Sequence, residues 1–179
     1  MAGATFIFWR DRDRHYLPWV LLLTVVLAAL VAVLFFAFRV LRVDGPSMEP
    51  FLQSDDRVLI TRTYARPERG DIVAIEAPAA SGGGLIIKRV IAVPGDELEV
   101  IGDTAFVNGE VSLEAPDPII GPDTRRLGVA TVPTDTVFVM GDNRPVSLDS
   151  RYFGFVPLEV VEGEVVAVVL PPRSVRLVE

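Results

Sequence analysis

The sequence predicts a mainly β domain of antiparallel strands carried behind one N-terminal membrane-spanning helix. Three observations predict it. Residues 16–38 hold no charged side chain. Beyond them, short runs rich in Val and Ile alternate with turns built from Gly, Pro, Asn and Asp. No stretch after the apolar run repeats its hydrophobic residues with the 3.6-residue period of an amphipathic helix.

The apolar run divides the 179-residue chain into a tail (1–15), a span (16–38) and one domain (40–179). Its 23 residues would reach about 34 Å as a helix, enough to cross a bilayer with some tilt. Tyr16 and Trp19 sit where interfacial aromatics are expected, and Pro18 falls in the first turn, where its missing N–H costs little. A cleaved signal peptide is the rival reading. Its apolar region would be roughly 7–15 residues with small residues at the cleavage site. This run is longer, and Phe35-Phe36-Ala37-Phe38-Arg39 suits that cleavage poorly, so a retained span is expected. Arg10, Arg12 and Arg14 precede the span and Arg39 and Arg42 follow it, a small bias for a cytoplasmic N-terminus and a domain on the outer face. The only histidine, His15, then lies on the far side of the membrane from the domain and cannot serve a triad there.

Composition removes several function classes. A net charge of -7 argues against a nucleic-acid surface. The absence of cysteine excludes disulfides, thiolate chemistry and Cys-based zinc sites, and no other metal-ligand spacing stands out, so no cofactor or metal is expected. One detail is sharper. Of 17 basic residues 16 are arginine, and the single lysine is Lys88. Composition bias with one stray lysine explains this blandly. The functional reading is a position that needs an amine able to lose its proton, which arginine cannot supply.

In chain order, Val40–Asp44 alternates as a strand and is broken by Gly45-Pro46. Ser47 follows, inside Gly45-Pro46-Ser47-Met48-Glu49-Pro50, about nine residues past the span. Alone it is a turn serine; any chemistry needs partners elsewhere. Met48, Phe51 and Leu52 are candidates for apolar contact with membrane or substrate. Residues 56–62 and 72–75 read as strands around the turn at Pro67–Asp71, and the glycine-rich stretch 80–84 as a loop. Leu85–Val93 is the most continuous apolar strand after the span. Alternation puts Ile86, Lys88 and Val90 on one face and Ile87, Arg89 and Ile91 on the other, so one of the two charged residues should be partly buried. Burial would favour the neutral lysine, the form that acts as a base. Arg89 would be outward or paired with an acid. Strands follow at 97–101, 104–107 and 110–113, with Asn108-Gly109 marking a type I′ hairpin. Residues 115–128 read as an irregular loop without assigned chemistry. A strand at 136–140 enters a loop dense in polar groups, Gly141 to Gly154, where Asp149 would pair with Arg151, or Asp142 with Arg151. The polar density also fits a plain structured turn. A last strand, 162–170, is broken by Pro171-Pro172.

Taken together these segments resemble the bacterial type I signal peptidases. Gly45–Pro50 resembles their nucleophile box, and Asp56-Arg57-Val58 the short box after it. Arg69–Val73 and Lys88–Asp96 resemble the general-base region, and Gly141-Asp142-Asn143-Arg144 with Ser147, Asp149, Ser150, Arg151, Tyr152 and Gly154 the last box. The resemblance implies a membrane-anchored Ser–Lys serine protease with a reduced second β subdomain near residues 97–135. It implies Ser47 as nucleophile, Lys88 as general base, Ser147 orienting the amine, and Asp142, Asp149 and Arg151 holding the site. Expected partners are signal-peptide-bearing pre-proteins, cut after small residues at -1 and -3, together with membrane lipid and a nearby secretion translocon. Two departures stand out. Gly45 occupies a position where many members carry a serine that helps the oxyanion, which leaves the Ser47 backbone N–H as the expected donor. Pro145-Val146 replaces a polar pair. A specialised Ser–Lys protease with a narrow precursor, or a non-catalytic anchored β domain, are the alternatives.

Overall fold

The computed structural model describes residues 16–62, 66–79, 83–112, 115, 118–121, 125–170 and 175–178. The N-terminal tail with His15, the glycine-rich stretch at 80–82 and the Pro171-Pro172 break lie outside them. The chain separates into two units at Ala37/Phe38.

The first unit holds helix α1, Leu17–Ala37. It is apolar all round and none of its side chains is buried. A helix of this length with no polar face is stable only in a nonaqueous environment. It is a single-pass membrane anchor.

The second unit is β, as expected, and every pairing between its strands is antiparallel. Twelve strands occur among the described residues: β1 (Phe38–Arg42), β2 (Arg57–Thr61), β3 (Ile72–Glu76), β4 (Leu85–Ala92), β5 (Glu97–Ile101), β6 (Thr104–Val107), β7 (Glu110–Val111), β8 (Arg126–Thr131), β9 (Thr136–Met140), β10 (Val156–Pro157), β11 (Val161–Leu170) and β12 (Arg176–Leu177). The larger sheet runs β1-β2-β11-β3-β4-β9-β10, with β12 added against β11. The smaller sheet runs β7-β6-β5-β8. Its β6–β7 turn is the expected Asn-Gly hairpin, with φ of 53° at Asn108 and 84° at Gly109.

Alternation along β4, interrupted by a register shift between Val90 and Ala92, sends its side chains into separate cores. Ile87 joins Val58, Ile60, Ile72, Ala74 and Val165. Val90 joins Val73, Ile75, Val137 and Val139. Ile91 and Ala92 pack with Leu98, Val100 and Val107 of the small sheet and with Phe138 and Met140 of β9. This last cluster binds the small sheet to the large one.

The elements depart from expectation at several places. Residues 126–131 form β8, which begins inside the stretch 115–128 expected as irregular loop. Nearly every residue of β8 is exposed, so it has no alternating burial to betray it; pairing with β5 holds it in place. Residues 150–153, in a loop expected to lack helix, form one helical turn, α2 (Ser150–Phe153), which Asp149 caps by accepting from the Arg151 N–H. Residues 176–177 add β12, which pairs with β11 and stays exposed.

Candidate active site

Between β1 and β2 the chain makes a lobe closed at its base, where the Val43 N–H donates to the Asp56 carbonyl at 2.8 Å. Met48 and Leu52 lie four residues apart in this lobe, and the Leu52 N–H donates to the Met48 carbonyl at 2.9 Å. That spacing puts both on one side. Both are buried in the core with Val58 and Ile60. This corrects their expected role as contacts for membrane or substrate: they offer no surface, and their burial instead anchors the lobe. Phe51 is half-buried, and the guanidinium groups of Arg89 and Arg176 lie 4.9 Å and 5.1 Å from its ring centre. Ser47, one residue before Met48, stays half-exposed at the lobe surface.

Lys88 stands on β4 opposite Val73 of β3. Its Nζ lies 2.8 Å from Ser47 Oγ. Lys88 is 3% exposed, and burial lowers its pKa from 10.5 to about 8; Asp149 and Asp142 pull it upward and Arg151 pulls it down. Where one partly buried charge was expected on β4, both are buried, Arg89 at 2% exposure. The difference lies in Asp142. Its carboxylate accepts from Arg89 Nε at 2.9 Å and Nη2 at 2.7 Å, and the Gly70 carbonyl accepts from Nη1 at 2.8 Å. Asp142 therefore pairs with Arg89, not with Arg151.

Arg151 pairs with Asp149, Nε to Oδ1 at 2.9 Å and Nη2 to Oδ2 at 3.0 Å. Arg151 also donates to Asp103, a residue the sequence did not single out. Arg144 donates to the Gly141 carbonyl at 2.9 Å and to the Asp103 carbonyl at 2.7 Å. Around Lys88, three buried or half-buried arginines (89, 144, 151) face three buried aspartates (103, 142, 149). These aspartates are engaged by arginines or backbone N–H groups, and among the described residues none of them hydrogen-bonds the lysine amine.

Asn143 joins the late loop to the serine turn. Its side-chain amide donates to the Pro46 carbonyl at 3.1 Å and its backbone N–H to the Ser47 carbonyl at 3.0 Å. The late loop thereby holds the turn that carries Ser47. Gly141 allows the approach, because a Cβ there would overlap Ser147 Oγ and the Ser47 carbonyl. Ser147 is buried and its Oγ has no hydrogen-bond partner. Gly45 sits at φ 85°, a left-handed conformation that disfavours a side chain, with open space where one would project. Among the described residues no acceptor takes the Ser47 N–H. No three His, Cys, Asp or Glu side chains among them are grouped to hold a metal.

A serine hydroxyl in contact with a buried amine of lowered pKa is the equipment of hydrolases that use lysine where others use histidine. Comparison with known proteins agrees with that class and narrows it. The family model described as signal peptidase, peptidase S26, matches residues 16–170. A probable signal peptidase I-2 from Synechocystis is 40% identical over 68% of this chain and 58% of its own length. A signal peptidase I from Leptolyngbya laminosa is 33% identical, over 69% of this chain and 64% of its own. This chain thus matches less than two thirds of the length of those two relatives. A signal peptidase I from Bacillus licheniformis is 31% identical over 93% of this chain and 95% of its own. The chain belongs to the signal peptidase family, peptidase S26.

Proposed function

We propose that this protein is an endopeptidase that removes N-terminal signal peptides from exported pre-proteins, cutting after small residues at -1 and -3. The observation that carries the reading is the 2.8 Å contact between Ser47 Oγ and the buried Lys88 amine, in a chain of this family. Neutral Lys88 takes the proton of Ser47 as Ser47 Oγ attacks the scissile carbonyl. The Ser47 N–H donates to the oxyanion. The tetrahedral intermediate collapses as the Lys88 ammonium protonates the leaving amine, which leaves the -1 residue as an ester on Ser47. Lys88, neutral again, takes a proton from water, whose oxygen attacks the ester; the ammonium then returns a proton to Ser47 Oγ.

Ser147 Oγ, buried beside the Ser47 carbonyl at Gly141 and without a hydrogen-bond partner among the described residues, is the group available to orient the amine once substrate is bound. Asp142 holds Arg89 beside Lys88, and Asp149 with Arg151 holds the loop. The pre-protein lies extended along an exposed strand edge. Arginines before the span favour a cytoplasmic N-terminus, with the β unit on the outer face near the secretion translocon.

The test is cleavage of a pre-protein with alanine at -1 and -3 by the detergent-solubilised full chain, the cut position read by mass. The wild type should release the mature protein. Lys88→Arg and Ser47→Ala should each lose at least about a thousandfold in rate. Robust processing by Lys88→Arg would overturn the dyad.

A further inference from the structure

Asp103 belongs to the small sheet, in the two-residue turn between β5 and β6. Its side chain nevertheless enters the catalytic loop, and it is 3% exposed. Oδ1 accepts from Arg151 Nη1. Oδ2 accepts from the Gly121 N–H at 2.7 Å, and the Asp103 carbonyl accepts from Arg144 Nη1 at 2.7 Å.

Both arms from this turn end on one residue. Arg151 fastens Asp149, and Asp149 Oδ2 accepts the Gly141 N–H at 3.0 Å. Arg144 reaches the other side of the same residue, donating to the Gly141 carbonyl at 2.9 Å. Arg151 Nη2 also donates to the Arg144 carbonyl at 2.6 Å and to the Ser147 carbonyl at 3.3 Å. Gly141 is the point where the loop meets Ser47 and Ser147 with no room for a methyl group. Its N–H and its carbonyl are both held by groups that Asp103 anchors.

We propose that Asp103 is a positioning residue for the Ser47–Lys88 pair, so that the small sheet sets the geometry of a site built on the large one. The proposal rests on the reading of Ser47 and Lys88 as the catalytic pair. Asp103 touches neither residue; it acts through Arg151 and Arg144 on Gly141. A displacement there of a fraction of an ångström moves the serine carbonyl and the Ser147 hydroxyl together. Misplacement on that scale lowers the rate of the chemical step and leaves substrate contacts intact.

The experiment compares full-length wild type, Asp103→Asn and Asp103→Glu in detergent, on a peptide with alanine at -3 and -1. Asp103→Asn keeps the shape and an acceptor and removes the charge; Asp103→Glu keeps the charge and displaces it. The expected result is a tenfold or greater fall in kcat per folded molecule for Asp103→Asn, with KM within about threefold, and a smaller fall for Asp103→Glu. The NMR signal of the single lysine, labelled as 13C-lysine, should shift in both variants, a readout independent of turnover. Wild-type kcat in the folded variants, even with lowered Tm, would overturn the positioning role and leave the catalytic pair standing. No cleavage by wild type would overturn the pair itself and the proposal with it. Should Asp103→Asn fail to fold, an unchanged kcat in Asp103→Glu overturns the role equally.

Discussion

An amine 2.8 Å from a serine hydroxyl is a useful base only while it is neutral. Burial of Lys88 brings its pKa to about 8, so the neutral fraction grows as pH rises through that value, within reach of ordinary working pH. An arginine at this position would stay charged and could not take the proton. Gly141 is as demanding in space as Lys88 is in charge. Gly141→Ala drives a methyl into the Ser147 hydroxyl and the Ser47 carbonyl. It is expected to lower kcat at least tenfold, measured on the soluble, folded fraction; an unchanged kcat would show that the approach is not needed. Lys88 was legible at this scale because a chain with 16 arginines uses lysine once. Ser47 was legible from its turn and the boxes around it. Asp103 was not, since one acid in a two-residue turn carries no pattern and its arginine partners lie 41 and 48 residues away. Met48 and Leu52 misled because apolar residues in a loop read as exposed, whereas their four-residue spacing turns both inward.

β4 does the most positioning of any strand. It lies between β3 and β9, buries Lys88 toward Ser47, and presents Arg89 to Asp142. A buried guanidinium is tolerated because a bidentate carboxylate and the Gly70 carbonyl satisfy it. Removing the charge of Asp142 leaves that guanidinium without its counter-ion. Asp142→Asn should therefore cost about 3 kcal/mol in unfolding free energy, read from the shift in urea midpoint. A variant within about 0.5 kcal/mol of wild type would show that Arg89 is satisfied without the ion pair. Strands such as β4 and β9 were readable because their apolar runs are continuous. β8 was not: exposed on both faces, it is defined by its partner β5 rather than by its own residues. The separation of the β4 side chains into three cores was equally hidden, because alternation assigns faces and leaves open what each face meets.

At the scale of the whole molecule, an apolar anchor and a β unit share one chain, and which side of the membrane receives the β unit decides what can reach it. The arginine bias expects the outer face. The chain has no cysteine, so Val129→Cys, at an exposed position on β8, gives a single label site. A membrane-impermeant maleimide should label it in intact spheroplasts; labelling only after permeabilisation would reverse the orientation. The anchor was legible from length and lack of charge alone, while the mutual support of the two sheets through Asp103 and the Ile91 cluster emerges only once the chain is folded. The same composition makes the central claim open to direct measurement. With one lysine in the chain, 13C-lysine labelling yields one side-chain signal, and its pH titration in the detergent-solubilised protein belongs to Lys88 alone. A midpoint near 8 is the expected result, meaning that a neutral amine is available beside Ser47. A midpoint near the ordinary 10.5 would mean that Lys88 stays charged at working pH and is not the base.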